Sequence, residues 1–183
     1  WIGDAVYTLV LQMMVGFACN CPEGPETVQR DLRELGPSAF LAAPRIWENL
    51  LTQIQVKASD ASWLKRRTFE VFRDKAIEAE LLRADGKPVP AGLRVMRAIG
   101  EFLVYGPVRD QIGLRRARWC LTGGAPLGAD TFRLFRAFGV NLKQVYGSTE
   151  LSAFVSVQPD AEANPNTVGP PGPGIEVRIA ENG

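Results

Sequence analysis

The heptapeptide QVYGSTE, in the last quarter of the chain, places side chains of several chemical classes next to one another. Tyr146 offers an aromatic ring on which a flat base can stack, and Gly147 permits a sharp turn directly after it. Ser148 and Thr149 can donate hydrogen bonds to phosphate oxygens. Glu150 supplies a hard carboxylate oxygen suited to Mg²⁺ held beside a nucleotide phosphate. A purine, a phosphate and magnesium together account for these residue types.

A second glycine-bearing stretch, TGGAP at residues 122–126, lies upstream of the first. Gly123 and Gly124 lack a Cβ atom, so a bulky or planar ligand can lie directly on the backbone. The stretch is not the G-x-G-x-x-G pattern of dinucleotide-binding folds. It is not a P-loop either, because no lysine follows the glycines.

Both stretches follow predicted strands of one β-α-β unit, with strands over 116–122 and 140–146 and a helix over 127–138. Parallel strands end at the same edge of a sheet, and open α/β sheets bind ligands at that edge. The two stretches are therefore expected to form one site. A simpler alternative is that the strand ends in a helix N-cap, with Glu150 in the first helical turn. That alternative stays open at this point.

The rest of the chain is predicted to alternate between helices and strands. The first part is expected to contain an apolar helix (5–16), a buried strand (17–21), a helix (25–35), a strand (38–42) and a helix that starts at Pro44. This order implies a further parallel β-α-β unit. Helical stretches are then expected over 61–83, 91–105 and 107–113, and the last strands over 154–157 and 174–179, separated by a surface loop at 164–174.

The absence of histidine excludes whole classes of enzyme. Ser-His-Asp and Cys-His nucleophile systems need an imidazole base within reach. Cys19 and Cys21 have no second pair of ligands nearby, which disfavours a zinc site. With Cys120 they are too few for a disulfide framework and fit a reducing cytosol. A net charge of +1 gives no case for a nucleic-acid partner.

Two features raise the question of a membrane. The apolar run Ala5 to Gly16 is shorter than the roughly 20 residues that span a bilayer, so we predict a buried core helix. The basic cluster at 65–75 shares its helix with several acidic residues, and this mixture favours a plain solvated face.

Several ordered motifs resemble one family. LTGGAPL followed by QVYGSTE looks like the adenylate-forming superfamily of acyl-CoA synthetases, luciferases and peptide-synthetase adenylation domains, and NTVGPPGPGIEVRI is similar to the segment that comes next in that family. GPSAFLAAPRIWENL and WIGD resemble bacterial long-chain fatty-acid–CoA ligases in particular. The resemblance implies an α/β fold of parallel βαβ units, as in the N-terminal domain of an adenylate-forming enzyme, with a helical insertion at about 52–115.

The resemblance also implies roles for individual residues. Tyr146 would stack on the adenine. Thr149 would contact the adenylate phosphate and Glu150 would coordinate magnesium, which makes these two the catalytic candidates. Trp1 falls near the family's acyl pocket, and Gly123 is a second candidate for lining that pocket. The nucleotide-binding candidates are Gly123, Gly124, Ala125, Pro126, Gln144, Tyr146, Gly147, Ser148 and Thr149.

The implied activity joins a long-chain fatty acid to coenzyme A. Fatty acid and ATP would first give an acyl-adenylate and pyrophosphate, and the coenzyme A thiol would then displace AMP. Fatty acid, ATP or AMP, Mg²⁺ and coenzyme A are the implied ligands, and the implied location is the cytoplasm. Peripheral association with the inner membrane face and the oligomeric state stay open. The alternatives are an adenylating enzyme for aryl, short-chain or amino acids, a non-catalytic nucleotide-binding relative, and an interaction domain without a ligand.

Both ends of the sequence look cut, so we expect residues 1–183 to be an internal part of an AMP-binding domain. By the resemblance, a phosphate loop with its lysine would precede Trp1. The ribose-binding aspartate and a small C-terminal domain with its catalytic lysine would follow Gly183. On this view the fragment alone is inactive, and the activity belongs to the longer protein.

Overall fold

A mixed sheet forms the centre of the molecule. A computed structural model describes residues 5–24 and 26–180 of the chain. Within them the sheet has the strand order of the sequence: β1 (Ala39–Ala42), β2 (Trp119–Thr122), β3 (Leu142–Tyr146) and β4 (Ser156–Val157). β1 pairs with β2 and β2 with β3 in parallel, whereas β4 runs antiparallel to β3. The predicted α/β class with parallel βαβ units is confirmed.

Helices make up most of the connections. They are α1 (Gln12–Val15), α2 (Val28–Leu35), α3 (Pro44–Ser59), α4 (Trp63–Ala84), α5 (Ala91–Gly100), α6 (Gly106–Gln111) and α7 (Ala129–Ala137). Wider π-helical turns, Val6–Leu11 and Glu101–Tyr105, lead into α1 and join α5 to α6. Among the described residues, no helix is both long and apolar enough to cross a membrane.

The helix boundaries follow local chemistry. α3 begins with Pro44 at its first position, where a missing N–H costs nothing. α4 ends before Gly86, whose φ of +67° lies in the left-handed region that favours glycine. Gly139 terminates α7 in the same way, with a φ of +82°. These glycine stops were predictable, because a left-handed residue after a helix is strained for most side chains.

One face of the sheet carries the core. Phe40, Cys120 and Leu142 lie level with one another across β1, β2 and β3, and all three belong to or pack against one apolar cluster. Trp47 of α3 fills the centre of that cluster and is fully buried. Its ring meets Phe40 and Phe135 edge-on, with centroid separations of 5.3 and 5.0 Å. Such T-shaped pairs add to the free energy gained from burying the rings.

Three sequence predictions fail in the first and last parts of the chain. Residues 17–21 form no strand, and Phe17 is partly exposed. The parallel neighbour of β1 is β2, reached through the long helical crossover, so the β-α-β unit predicted at residues 17–42 is wrong. Residues 174–179 pair with no described strand, and Val177 and Ile179 are exposed. A strand needs a partner for its backbone, and apolar alternation alone supplies none.

The prediction for the first helical segment is right about its secondary structure and wrong about its burial. Residues 5–15 are helical as expected, but none of the side chains described in this segment is buried. Met13, Met14 and Val15 are all more than 70% exposed. The predicted start of the next helix at Pro25 lies outside the described residues, and α2 is assigned from Val28.

A largely buried ion pair joins the helical layer to the sheet. The Nε of Arg136 on α7 donates to Oε1 of Glu80 on α4 at 2.9 Å, and both side chains are less than 20% exposed. A second guanidinium nitrogen of Arg136 donates to the carbonyl oxygen of Leu142 at 3.1 Å. One side chain therefore joins α4, α7 and the start of β3. Removal of one partner leaves the other charge buried without compensation.

We predict that Arg136→Ala lowers the free energy of unfolding by about 3 kcal/mol, because the largely buried Glu80 loses its hydrogen-bonded partner. Arg133→Ala is the matched control on the same helix. Arg133 pairs with the fully exposed Asp130, and loss of that pair should cost less than about 0.5 kcal/mol. Urea unfolding followed by far-ultraviolet circular dichroism measures both. Equal losses for the two variants would contradict a special role for the Glu80–Arg136 pair.

Candidate functional site

The two glycine-bearing loops lie side by side at the carboxyl edge of the parallel strands. Thr122, the last residue of β2, is level with Gln144 of β3. The next residue, Gly123, packs directly on β3, since a Cβ atom added to it would lie 2.5 Å from the Val145 side chain. The sheet therefore joins the two sequence motifs, as the parallel arrangement predicts.

The upper part of this edge is open. Gly124 lies two residues beyond the end of β2, and Tyr146 is the last residue of β3. Gly124 has a φ of +86°, and a Cβ atom there would meet nothing within 4 Å, so its backbone faces free space. Ala125 and Pro126 are exposed, and the Tyr146 side chain is 52% exposed. A ring and a bare stretch of backbone are thus both accessible at one place.

A tight turn follows β3. Gly147 is required there, because a Cβ atom would lie 1.6 Å from the Ala153 carbonyl oxygen. The turn closes through a 3.0 Å hydrogen bond from the Ala153 N–H to the Ser148 carbonyl. Ser152 and Ala153 have φ values of 55° and 87°, conformations that cost residues other than glycine energy. The chain forms turns rather than a helix here, so the helix N-cap alternative is wrong.

The polar groups of this turn are displayed to solvent. Thr149 and Glu150 are exposed, and Ser148 is partly exposed. A hydrogen bond from the Ser148 side chain, helped by a backbone hydrogen bond, lowers the pKa of the Glu150 carboxyl below its ordinary value. Glu150 is therefore a carboxylate at neutral pH, and its folded-state charge persists to lower pH than that of a free glutamate.

The described residues contain no group of three or more histidine, cysteine, aspartate or glutamate side chains that could hold a metal by themselves. Mg²⁺ does not require such a group, because it keeps several waters and combines one or two carboxylates with substrate phosphates. A single exposed, ionised Glu150 beside two hydroxyl residues fits that donor set. It would not fit a structural zinc or calcium site.

Gln144 lies apart from the other candidates. Its side chain is buried, and its amide nitrogen contacts the carbonyl oxygens of Asn164, Pro165 and Thr167 at 3.3, 2.9 and 3.0 Å. In this structure the amide holds the loop after β4 instead of facing the open edge. A contact between Gln144 and a nucleotide stays a prediction. Trp1, the acyl-pocket candidate, lies outside the described residues.

Gln158 is a structural residue of the site that sequence analysis missed. It is 1% exposed. Its Oε1 accepts the Gln144 N–H at 2.7 Å, and its amide donates to the Thr167 carbonyl at 2.6 Å. With Gln144 it ties the proline- and glycine-rich loop to β3, so that loop is anchored although much of its surface is exposed. No local sequence pattern indicates this role, because its partners Gln144 and Thr167 are distant in sequence.

The whole chain, residues 1–183, matches a family model described as AMP-binding enzyme. A long-chain-fatty-acid–CoA ligase of Gallus gallus, ACSBG2, is 32% identical over 69% of this chain and 16% of its own length. Another, FadD15 of Mycobacterium bovis, is 31% identical over 80% of this chain and 24% of its own. The Mycobacterium tuberculosis protein fadD11 is 27% identical over the entire chain.

The chain spans a third or less of the length of these curated relatives: 32% of fadD11 and smaller shares of the other two. No solved structure matches it significantly.

We predict that Gly147→Ala destabilises the protein by about 2 kcal/mol, because the added methyl group overlaps the Ala153 carbonyl and forces the turn apart. Gly92→Ala is the control, since a Cβ atom at Gly92 on α5 meets nothing within 4 Å. Alanine should be neutral or slightly stabilising there. Chemical denaturation compares the two. A Gly147→Ala variant as stable as Gly92→Ala would show that the turn is not closed as described.

Proposed function

Because the chain belongs to the AMP-binding enzyme family, we propose that the whole protein is an ATP-dependent long-chain fatty-acid–CoA ligase. Its first half-reaction would join a fatty-acid carboxylate to the α-phosphate of ATP, giving acyl-adenylate and pyrophosphate. In the second, the coenzyme A thiol would displace AMP and form the thioester. Residues 1–183 would contribute part of the AMP-binding domain, with the helices between β1 and β2 as the helical insertion at about 52–115.

One observation carries this proposal: the close contact of Gly123 with Val145, which sets the glycine loop against the strand that ends in Tyr146. A planar adenine would lie between the exposed Tyr146 ring and the bare backbone at Gly124. Stacking needs only a π face, and glycine allows close approach. Gly123, Ala125 and Pro126 would complete the nucleotide-facing wall, and Gly123 would also border the acyl carboxylate.

The turn after Tyr146 suits the phosphate end of the nucleotide. The Ser148 and Thr149 hydroxyls would donate hydrogen bonds to phosphate oxygens, and the tight Gly147 turn holds them next to the ring. Glu150 would hold Mg²⁺, which when bound supplies neutralising charge to the phosphates. The exposed, ionised state of Glu150 supports that role.

The chemistry suits a chain that has no histidine. The nucleophile in the first half-reaction is a carboxylate, which is already an anion near pH 7. No general base is needed to activate it. The remaining task is to align the carboxylate with the α-phosphate and to stabilise the charge that develops there. Hydroxyl groups, backbone amides and Glu150 can share that task without an imidazole.

The names of the relatives favour a long-chain substrate. The Gallus gallus and Mycobacterium bovis proteins are both named long-chain-fatty-acid–CoA ligases. Fatty acid, ATP and coenzyme A are therefore the proposed partners, and the cytoplasm is the proposed location. Peripheral contact with the inner membrane face is compatible with this reaction, since long-chain acids partition into lipid.

We predict that Tyr146→Ala raises the KM for ATP in acid-dependent ATP–pyrophosphate exchange by roughly 10- to 100-fold, because loss of the ring removes base stacking. Tyr146→Phe keeps the ring and should stay within about threefold of the wild type, since no hydrogen bond of the hydroxyl is invoked. The measurement is the ATP dependence of exchange by the full-length protein. An unchanged KM in Tyr146→Ala would show that the adenine does not stack on the ring at this position.

Glu150→Gln should lower the kcat of exchange by roughly 100-fold while the protein stays folded, because the amide is a poor Mg²⁺ ligand and carries no charge. Excess Mg²⁺ should restore part of the loss. The control is Glu162→Gln, an exposed acid in the turn Asp160–Glu162 after β4. If Glu150→Gln and Glu162→Gln retain the same activity at low Mg²⁺, Glu150 has no part in metal binding.

A further inference from the structure

The hydroxyl of Thr122 is buried without a hydrogen-bond partner. Thr122 is 1% exposed, and its Oγ1 has no hydrogen-bond partner among the described residues. Valine has the same shape and would fill the same space with a methyl group. In the conformation described here, the hydroxyl therefore lowers stability relative to valine, since a buried polar group without a partner is unfavourable. Such a group in a folded protein calls for an explanation.

The position of Thr122 suggests one. Thr122 is the last residue of β2, is level with Gln144 and directly precedes the glycine loop at 123–126. Side chains alternate along a strand, so Thr122 shares the face of Cys120, which lies in the core beneath the helices. At 1% exposure, the side chain is closed to a ligand at the open edge in this conformation. A functional role of the hydroxyl would therefore act through the adjoining glycine loop at 123–126.

The glycine loop carries backbone N–H groups that can donate a hydrogen bond to the Thr122 hydroxyl. In the described structure, neither the Gly124 nor the Ala125 N–H donates to a backbone carbonyl, and both residues are exposed. Gly124 has a φ of +86° and free space around it, so the loop has room to change conformation. Threonine side chains can accept from the backbone N–H two residues further along the chain, so a change in the loop conformation would pair the Thr122 hydroxyl with the Gly124 N–H. The unpaired oxygen and unpaired N–H groups would then satisfy each other.

We infer that Thr122 is a positioning residue, whose hydroxyl accepts a hydrogen bond from the glycine-loop backbone only in the nucleotide-bound conformation. Ligand binding shifts the loop towards the state in which this bond forms, as differential affinity for two states requires. The bond holds the loop backbone against the nucleotide. This inference rests on the proposed function, because it assigns Thr122 to the same nucleotide site.

The test compares Thr122→Val, Thr122→Ser and the wild type in the full-length protein. Thr131→Val is the matched control, since Thr131 is also buried but lies on α7. Two quantities are measured: the melting temperature without ligand, and kcat and KM for ATP in acid-dependent ATP–pyrophosphate exchange. Thr122→Val should melt at or above the wild-type temperature, yet lose roughly tenfold in kcat/KM, the factor expected for one hydrogen bond. Thr122→Ser should retain activity, and Thr131→Val should match the wild type in exchange.

A lower melting temperature of Thr122→Val without ligand would overturn the inference, because the hydroxyl would then have a partner in the resting protein. Unchanged kcat/KM in an active Thr122→Val enzyme would overturn it as well. An inactive wild type would instead refute the proposed ligase activity. In that case the AMP-induced rise in melting temperature replaces exchange, and the inference holds only if Thr122→Val reduces that rise while Thr122→Ser does not.

Discussion

The parallel pairing of β2 with β3 is the constraint on which the candidate site depends. It brings Thr122 level with Gln144, so the loops that leave both strands emerge at one edge. Glycine at position 123 lets the first loop lie against Val145, and glycine at position 147 lets the second fold back onto Ala153. A larger residue at position 123 would push the first loop away from β3, and one at position 147 would open the second turn. The accessible ring, the bare backbone and the hydroxyls of Ser148 and Thr149 lie at one edge for this reason.

The helical layer keeps that pairing in place. Phe40, Cys120 and Leu142 form a level row across the three parallel strands, and Trp47 and Phe135 pack over it. The long crossover from β1 to β2 would be entropically costly if it were loose. It is instead built of helices that bury apolar side chains against α7 and the sheet. Tyr105 adds a buried hydrogen bond to the Phe72 carbonyl at 2.8 Å, which links the far end of the crossover to α4.

The sequence was most informative where a residue's requirement is local. Gly147 and Gly139 mark a turn and a helix stop because few other residues adopt or fit those conformations. The spacing of Trp47 and Ile54 identifies the buried face of α3 by helical periodicity alone. Prediction failed where structure depends on distant partners. Residues 17–21 are apolar enough for a strand, yet they do not pair with β1, whose described neighbour is β2.

The same reasoning explains what was missed at the site. Gln158 acts through Gln144 and through a loop that follows it, and the unpaired hydroxyl of Thr122 is visible only once every neighbour is placed. The two candidate loops were identified without structure, because the chemistry of a ring, a hydroxyl and a carboxylate can be read from residue type. The accessibility of these side chains, and the backbone strain at Ser152 and Ala153, can be seen only in the folded turn.

The central claim is that the edge formed by β2 and β3 supports adenylation of a long-chain acid. The most direct measurement is ATP–pyrophosphate exchange by the full-length wild-type protein, with carboxylic acids of graded chain length. The account predicts exchange that depends on added acid and is greatest with long acyl chains. Exchange that is greatest with aryl or short-chain acids would contradict the substrate assignment. No exchange with any acid, from protein shown to be folded, would contradict the proposed activity itself.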